Sequence, residues 1–285
     1  MKSSKKVTSL DRARRRGIYL LPNLFTTAAL FAGFYAVVAA IDGNFRVAAI
    51  AIFVAMLLDG MDGRVARLTN TESDFGKEYD SLSDMVSFGL APSLVVYQWG
   101  AASLAEYGWA WGKFGWLAAF FYTVAAALRL ARFNTQPAKA GKHHFQGLPS
   151  PSAAGLVAGL IWYGSDAQLT GLVALAAAFL ITAMAGGLMV SNFRYLSLKN
   201  VSLGENVPFA YVLLIPLIFM LIALDPPRVL FLIALTYAFS GPALTVWGLF
   251  RKSRSRRGAE PAEDDSGLTG AERKGHGRDQ GRDQG

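Results

Sequence analysis

Long apolar runs dominate this chain: residues 20–41, 45–68, 79–100, 114–133, 151–163, 169–190, 208–224 and 229–250 are hydrophobic with few interruptions. A helix needs about 20 apolar residues to cross the hydrocarbon of a bilayer, and all but the short 151–163 run come near that length. Lipid offers the backbone no hydrogen-bond partners, so each run must satisfy its own N–H and C=O groups, as helices do. The expected fold is an all-α, polytopic transmembrane helical bundle of about eight spans. Hydrophobic residues make up 53% of the chain and charged residues 17%, against about a quarter charged in a soluble domain. That balance argues against a soluble enzyme.

The 28 basic and 20 acidic residues give a formal net charge of +8. The basic residues crowd beside apolar runs, which points to an anionic membrane surface and not to nucleic acid. With the amino terminus in the cytoplasm, 21 of the 28 basic residues fall on the cytoplasmic side, in the leader, three loops and 251–257. An even number of spans then puts both termini in the cytoplasm. The first run follows Lys5, Lys6, Arg12, Arg14, Arg15 and Arg16 and ends near Val38-Ala39-Ala40, the layout of a cleaved signal sequence. Its length exceeds the apolar core of about 7–15 residues of such a signal, and further spans follow at once, so it reads as a retained span. The organisation expected is a basic cytoplasmic segment over 1–19, a membrane domain over 20–250, and a polar tail over 251–285 whose composition predicts disorder. The chain has no cysteine, which removes disulfides, thiolate zinc sites and cysteine nucleophiles and leaves oxygen ligands for any metal.

The second and third runs carry acids where lipid-facing sequence should have none. Asp59 and Asp62 are three apart, Asp80 and Asp84 four apart, and Gly76, Asp80 and Asp84 form one i, i+4, i+8 stripe. Ionisable groups at membrane depth are costly, so each needs a partner or a wet cavity. Four carboxylates at one end of two adjacent spans call for cations, and oxygen-only ligands suit Mg²⁺ or Mn²⁺; two pairs on facing helices can build a two-metal site. Spacing alone leaves other readings open. The acids can be an interfacial loop paired with Arg64, Arg67 and Lys77, or the ion ligands of a cation transporter.

The full pattern Asp59-x2-Asp62-Gly63-x2-Ala66-Arg67-x8-Gly76-x3-Asp80-x3-Asp84 resembles the signature of the CDP-alcohol phosphotransferases at every defined position. The resemblance implies that Asp59, Asp62, Asp80 and Asp84 bind a pair of divalent ions, that Asp84 is also the general base, and that Gly63, Ala66, Arg67 and Gly76 line the site of the CDP-linked lipid. Glycine and alanine let a nucleotide approach a helix closely, and arginine meets phosphate. Three further stretches, Pro22-Asn23-Leu24-Phe25-Thr26, Leu128-Arg129-Leu130-Ala131-Arg132-Phe133-Asn134 and Phe145-Gln146-Gly147-Leu148-Pro149-Ser150-Pro151, look like those of the serine-using, membrane-embedded branch of that family. This implies phosphatidyl transfer from CDP-diacylglycerol to L-serine, giving phosphatidylserine and CMP, in a homodimer of the bacterial cytoplasmic membrane with its site facing the cytoplasm. Other members use other acceptors, such as glycerol 3-phosphate or inositol phosphate.

Remaining assignments follow from the same resemblance with simpler readings beside them. Asn23 and Thr26 are expected to touch the nucleotide, with helix capping as the alternative for Asn23. Arg129 and Arg132 bind the serine carboxylate or the lipid phosphate, or else anchor the helix end by snorkelling. Asn134 orients serine or caps. With no cysteine and with His143 and His144 adjacent in an expected loop, nothing suggests a covalent intermediate, and direct in-line displacement is expected. Trp109, Trp111 and Trp116 read as an interfacial belt, Asp225-Pro226-Pro227-Arg228 as a tight turn, and Gly186-Gly187 as a close helix contact.

Overall fold

The computed structural model describes residues 9–69, 71–135, 144–196 and 209–257. The described residues are almost wholly helical, as the apolar runs require. Each run becomes helix: α1 (Ser9–Ile41), α2 (Phe45–Thr69), α3 (Asp74–Asp84), a π-helical turn (Met85–Leu90), α4 (Ala91–Ala105), α5 (Trp109–Thr135), α6 (Ser150–Asp166), α7 (Leu172–Val190), α8 (Phe209–Leu224) and α9 (Pro226–Arg257). Four described helical stretches are long and apolar enough to cross a membrane: Leu21–Ile41, Trp109–Thr135, Leu172–Val190 and Pro226–Thr245. The chain divides into two units, Met1–Trp247 and Gly248–Gly285. His143 and residues 258–285 of the expected tail lie outside the described residues, while 251–257 continue α9.

The helices pack through small side chains. α1 and α2 pack against each other, and Ala36, Ala39 and Ala40 on α1 and Ala48 and Ala49 on α2 are all nearly or fully buried. Small residues let backbones approach closely where apolar solvent gives no hydrophobic drive to association. α1 ends in a Schellman turn: Asn44 N–H reaches Ala39 O at 2.8 Å, Gly43 N–H reaches Ala40 O at 3.0 Å, and Gly43 takes φ +76°, the left-handed conformation of that cap. This tight turn returns α2 antiparallel along α1. The short 151–163 run proves to be the most enclosed element: every residue from Ala153 to Trp162 on α6 is buried, which is why it needs no polar face. Gly186 packs α7 against α5, where a Cβ would lie 3.1 Å from Tyr122 Cα. The Asp225 turn joins α8 to α9, its carboxylate pairing with Arg228 at 3.0 Å.

The third apolar run departs from a plain span. Its helix starts earlier than its hydrophobicity, at Asp74, because Ser73 caps it: Ser73 Oγ accepts Gly76 N–H at 3.0 Å. After Asp84 the helix widens to the π turn, in which Ala91 N–H bonds Val86 O. Such widened turns concentrate at functional sites. Tyr122 of α5, fully buried, donates its hydroxyl to Phe88 O at 2.9 Å and ties the widened turn to α5.

Two three-residue strands form a strap, β1 (His144–Gln146) paired antiparallel with β2 (Arg194–Leu196), with Phe145 opposite Tyr195. Tyr195 is fully buried and donates to Ala238 O of α9 at 2.9 Å. Burial, and next the neighbouring Tyr237, push its phenol up to about 12, so it stays a donor at neutral pH. Gly147 closes the strap at φ +81°, its N–H bonded to Phe193 O at 2.9 Å, and a Cβ there would run into Met189 O and stand 3.0 Å from Ser191 O. Gly147→Ala is therefore expected to cost about 2–5 kcal/mol, adding a left-handed backbone penalty to an overpacking penalty. Thermal unfolding of the purified variant, followed by tryptophan fluorescence, checks this; an unchanged midpoint would mean that the strap yields freely.

Candidate active site

The sequence places the acids on two helices, and the fold brings those helices together. Ligand oxygens of Asp59 and Asp62 on α2 and Asp80 on α3 lie within 4.8 Å of one another. Asp84, one turn further along α3, is close enough to Asp59 and Asp80 for their charges to act on one another. The expected i, i+4, i+8 stripe of Gly76, Asp80 and Asp84 lies on the single helix α3. α1 sets the spacing: Ser83 Oγ donates to Thr26 O at 3.2 Å, and Ser87 Oγ donates to Ala29 O at 3.1 Å. Thr26, itself buried, donates its hydroxyl to Asp62 Oδ2 at 2.8 Å.

Two of the three cations offered by the simpler reading are engaged elsewhere. Lys77 pairs with Asp74 at 3.5 Å, and Arg67 Nε donates to Gly63 O, one turn back on its own helix, at 2.8 Å. Asp80 Oδ1 and Asp84 Oδ1 are buried without a hydrogen-bond partner. Buried carboxylate oxygens of this kind are costly unless something positive meets them. Hard divalent cations fit this all-oxygen cluster, and Mg²⁺ or Mn²⁺ would be held by the four aspartates.

Beside the carboxylates lies a cleft of about 170 Å³, lined by Pro22, Asn23, Thr26, Asp62, Gly63, Ala66, Gly76 and Asp80, with Thr71, Glu72, Ser73 and Lys77 at one side. Five of the six residues expected at the nucleotide site are thus together; Arg67 is the exception and does not line it. A Cβ at Gly63 would stand in open space, whereas one at Gly76 would lie 3.1 Å from Ser73 Oγ and 3.5 Å from Asn23 Oδ1. Gly76 thus lets α3 close onto α1. Asn23 sits well inside α1, so it is not an N-cap. The 71–73 segment was missed in the sequence, although Ser73, three residues before Gly76, carried an N-cap signal.

The second and third motif stretches also converge. Arg129 donates from NH1 to Ser150 Oγ at 2.8 Å. Arg132 donates from NH2 to Gln146 Oε1 and to Asn192 Oδ1, the latter at 2.8 Å. Asn134 Nδ2 donates to Ser81 Oγ at 3.0 Å, beside Asp80 on α3. Arg129 and Asp84 are close enough for their charges to act on each other.

The sequence model of the CDP-alcohol phosphatidyltransferases matches residues 19–190, a stretch that holds the carboxylates, the cleft and both arginines. The chain belongs to the CDP-alcohol phosphatidyltransferase family. Among curated relatives, the CDP-diacylglycerol-serine O-phosphatidyltransferase of Helicobacter pylori is 36% identical over 204 residues, covering 71% of this chain and 82% of that protein. The protein of the same name from Mycobacterium leprae is 33% identical over 251 residues, covering 81% and 76%. An archaetidylserine synthase from Methanothermobacter thermautotrophicus is 34% identical over 198 residues, covering 68% and 74%. In this CDP-alcohol phosphatidyltransferase the family match ends with α7, so β2, α8 and α9 lie outside it.

Proposed function

We propose that this protein transfers the phosphatidyl group of CDP-diacylglycerol to the hydroxyl of L-serine, giving phosphatidylserine and CMP. The observation that carries the reading is the meeting of three carboxylates, with Asp84 one turn further along α3 and buried oxygens of Asp80 and Asp84 unpartnered, beside a cleft lined by signature residues. The printed names of the relatives support serine as acceptor.

Asn23, Thr26, Gly63, Ala66 and Gly76 receive the CDP moiety, and Arg67, one turn along α2 from Gly63, meets its phosphate. Divalent cations held by Asp59, Asp62, Asp80 and Asp84, two by family resemblance, would supply neutralisation of the diphosphate and of the charge on departing CMP. Asp84 takes the proton of the serine hydroxyl, whose oxygen is a poor nucleophile at neutral pH. That oxygen bonds to the lipid-bearing phosphorus as the bond from this phosphorus to the bridging oxygen breaks, and the bridging oxygen leaves with CMP. Arg129 binds the serine carboxylate, with Arg132 and Asn134 holding the surrounding groups. Displacement is direct and in line.

The same reading places the 20–250 domain in the bacterial cytoplasmic membrane as a homodimer with eight crossings and both termini in the cytoplasm. α2 is 25 residues long, roughly 37 Å at 1.5 Å per residue, which lets its acidic end reach the cytoplasmic headgroups. Acyl chains can then stay in lipid while cytidine and serine exchange with water.

The test is CMP release by purified protein in detergent with CDP-diacylglycerol and Mn²⁺ or Mg²⁺, comparing L-serine, glycerol 3-phosphate, inositol and inositol phosphate. Serine-dependent release is expected. Release with another acceptor alone would move the protein to another branch of its family, and no release with any would return the acids to an ion-transport role.

A further inference from the structure

The cleft has a direction, and three elements set it. Thr26 of α1 meets Asp62 of α2 at 2.8 Å. One turn further from the carboxylate cluster on each helix come Asn23, Ala66 and Gly76, where a Cβ on Gly76 of α3 would stand 3.5 Å from Asn23 Oδ1 of α1. Four residues of helix put this second level about 6 Å from the first. Beyond it the connection from α2 to α3 folds back: Thr71 N–H bonds Ala66 O at 3.0 Å, and Thr71, Glu72 and Ser73 line that end of the cleft. The proposed reaction puts the diphosphate of the CDP-lipid at the aspartates. Ribose then falls at the level of Ala66 and Gly76, and the base reaches residues 71–73, which lie in the undefined x8 stretch of the signature.

Hydrogen-bond bookkeeping shows what this end can offer a base. Thr69 Oγ1 gives its single proton to Val65 O at 2.7 Å, so the 2.7 Å contact between the Thr69 and Thr71 hydroxyls is donated by Thr71. Thr71, which is buried, is left with lone pairs only. Glu72 lines the cleft with no hydrogen bond or ion pair to any described residue, and an ionised carboxylate can only accept. Two adjacent residues therefore present acceptors. Ser73 Oγ accepts Gly76 N–H at 3.0 Å and still has its own proton to give. A hydroxyl turns to suit a donor or an acceptor, whereas a carboxylate cannot.

Cytosine carries an exocyclic amine with two N–H donors where uracil carries a carbonyl oxygen. Acceptors at this position welcome the first and repel the second. Resting on the transfer reaction proposed above, we infer that residues 71–73 read the base of the nucleotide-linked lipid, with Glu72 and Thr71 accepting from the cytosine amine, so that the enzyme takes CDP-diacylglycerol and rejects its uridine counterpart. Ser73 donates to the ring carbonyl that both bases share and does not discriminate.

The experiment measures L-serine-dependent nucleotide release, CMP or UMP, at varied CDP-diacylglycerol and at varied UDP-diacylglycerol, for wild type, Glu72→Gln and Glu72→Ala. Glu72 is exposed, so neither substitution disturbs the core. Wild type is expected to prefer the cytidine lipid in kcat/KM by about tenfold or more, the size of one matched base contact. The glutamine amide can accept from cytosine or donate to uracil, so Glu72→Gln should shrink the preference at least fivefold, in part by a gain with the uridine lipid. Glu72→Ala should shrink it through a loss with the cytidine lipid. An unchanged preference in both variants overturns the proposal, as does an equal loss with both lipids or a wild type indifferent to the base. Absence of serine-dependent release from the wild type with either lipid would instead defeat the transfer reaction on which the proposal rests.

Discussion

Asp84→Asn is expected to lower serine-dependent CMP release by about 10²–10⁴-fold, the range for a general base at the reacting proton. Asparagine keeps the shape of the side chain and its place on α3 but cannot accept the proton. The charge of Arg129 acts on Asp84, whose Oδ1 is buried and unpartnered. Asp62 makes a useful contrast, because its Oδ2 already accepts from Thr26 at 2.8 Å and it lines the cleft. Asp62→Asn should lose activity through weakened cation binding, so raising Mn²⁺ recovers part of it. The same titration should recover none for Asp84→Asn. Turnover above a tenth of wild type in Asp84→Asn would remove the base role.

Removing divalent cations should abolish CMP release altogether and also loosen the protein. Four carboxylates share one small volume, with three of them contributing oxygens within 4.8 Å, and like charges at that separation repel. A cation that binds only the folded site stabilises it by RT ln(1 + [L]/Kd), about 2.7 kcal/mol at a hundredfold excess over Kd. Addition of Mn²⁺ or Mg²⁺ to chelator-treated protein should raise the thermal midpoint without any substrate present, and Asp80→Asn should blunt that rise. Equal midpoints with and without cation in the wild type would count against a metal centre.

The fold class was legible because length and hydrophobicity leave a lipid-facing chain few choices, and the eight runs all become helix. The carboxylate cluster was legible for a different reason: Gly76, Asp80 and Asp84 share a helical face by spacing alone, and acids amid apolar sequence demand company. Hydropathy could not show the π turn after Asp84, since Met85, Val86 and Phe88 are as apolar as any span. Nor could it show that Arg132 is bound to Gln146 and Asn192, because that partnership depends on a strap closed between residues some fifty positions apart. Nor could the motif position of Arg67 show that its Nε is held on Gly63 O, one turn back on its own helix.

The strap also orders events at the ribosome. All four aspartates are translated by residue 84, but Tyr195 cannot lock onto α9 until Ala238 has been made. At about 5–20 residues per second, the roughly 150 residues in between take on the order of 8–30 s. For that interval the growing chain holds its four aspartates without the helix onto which Tyr195 locks, and a chain arrested after α7 would have neither β2 nor that anchor.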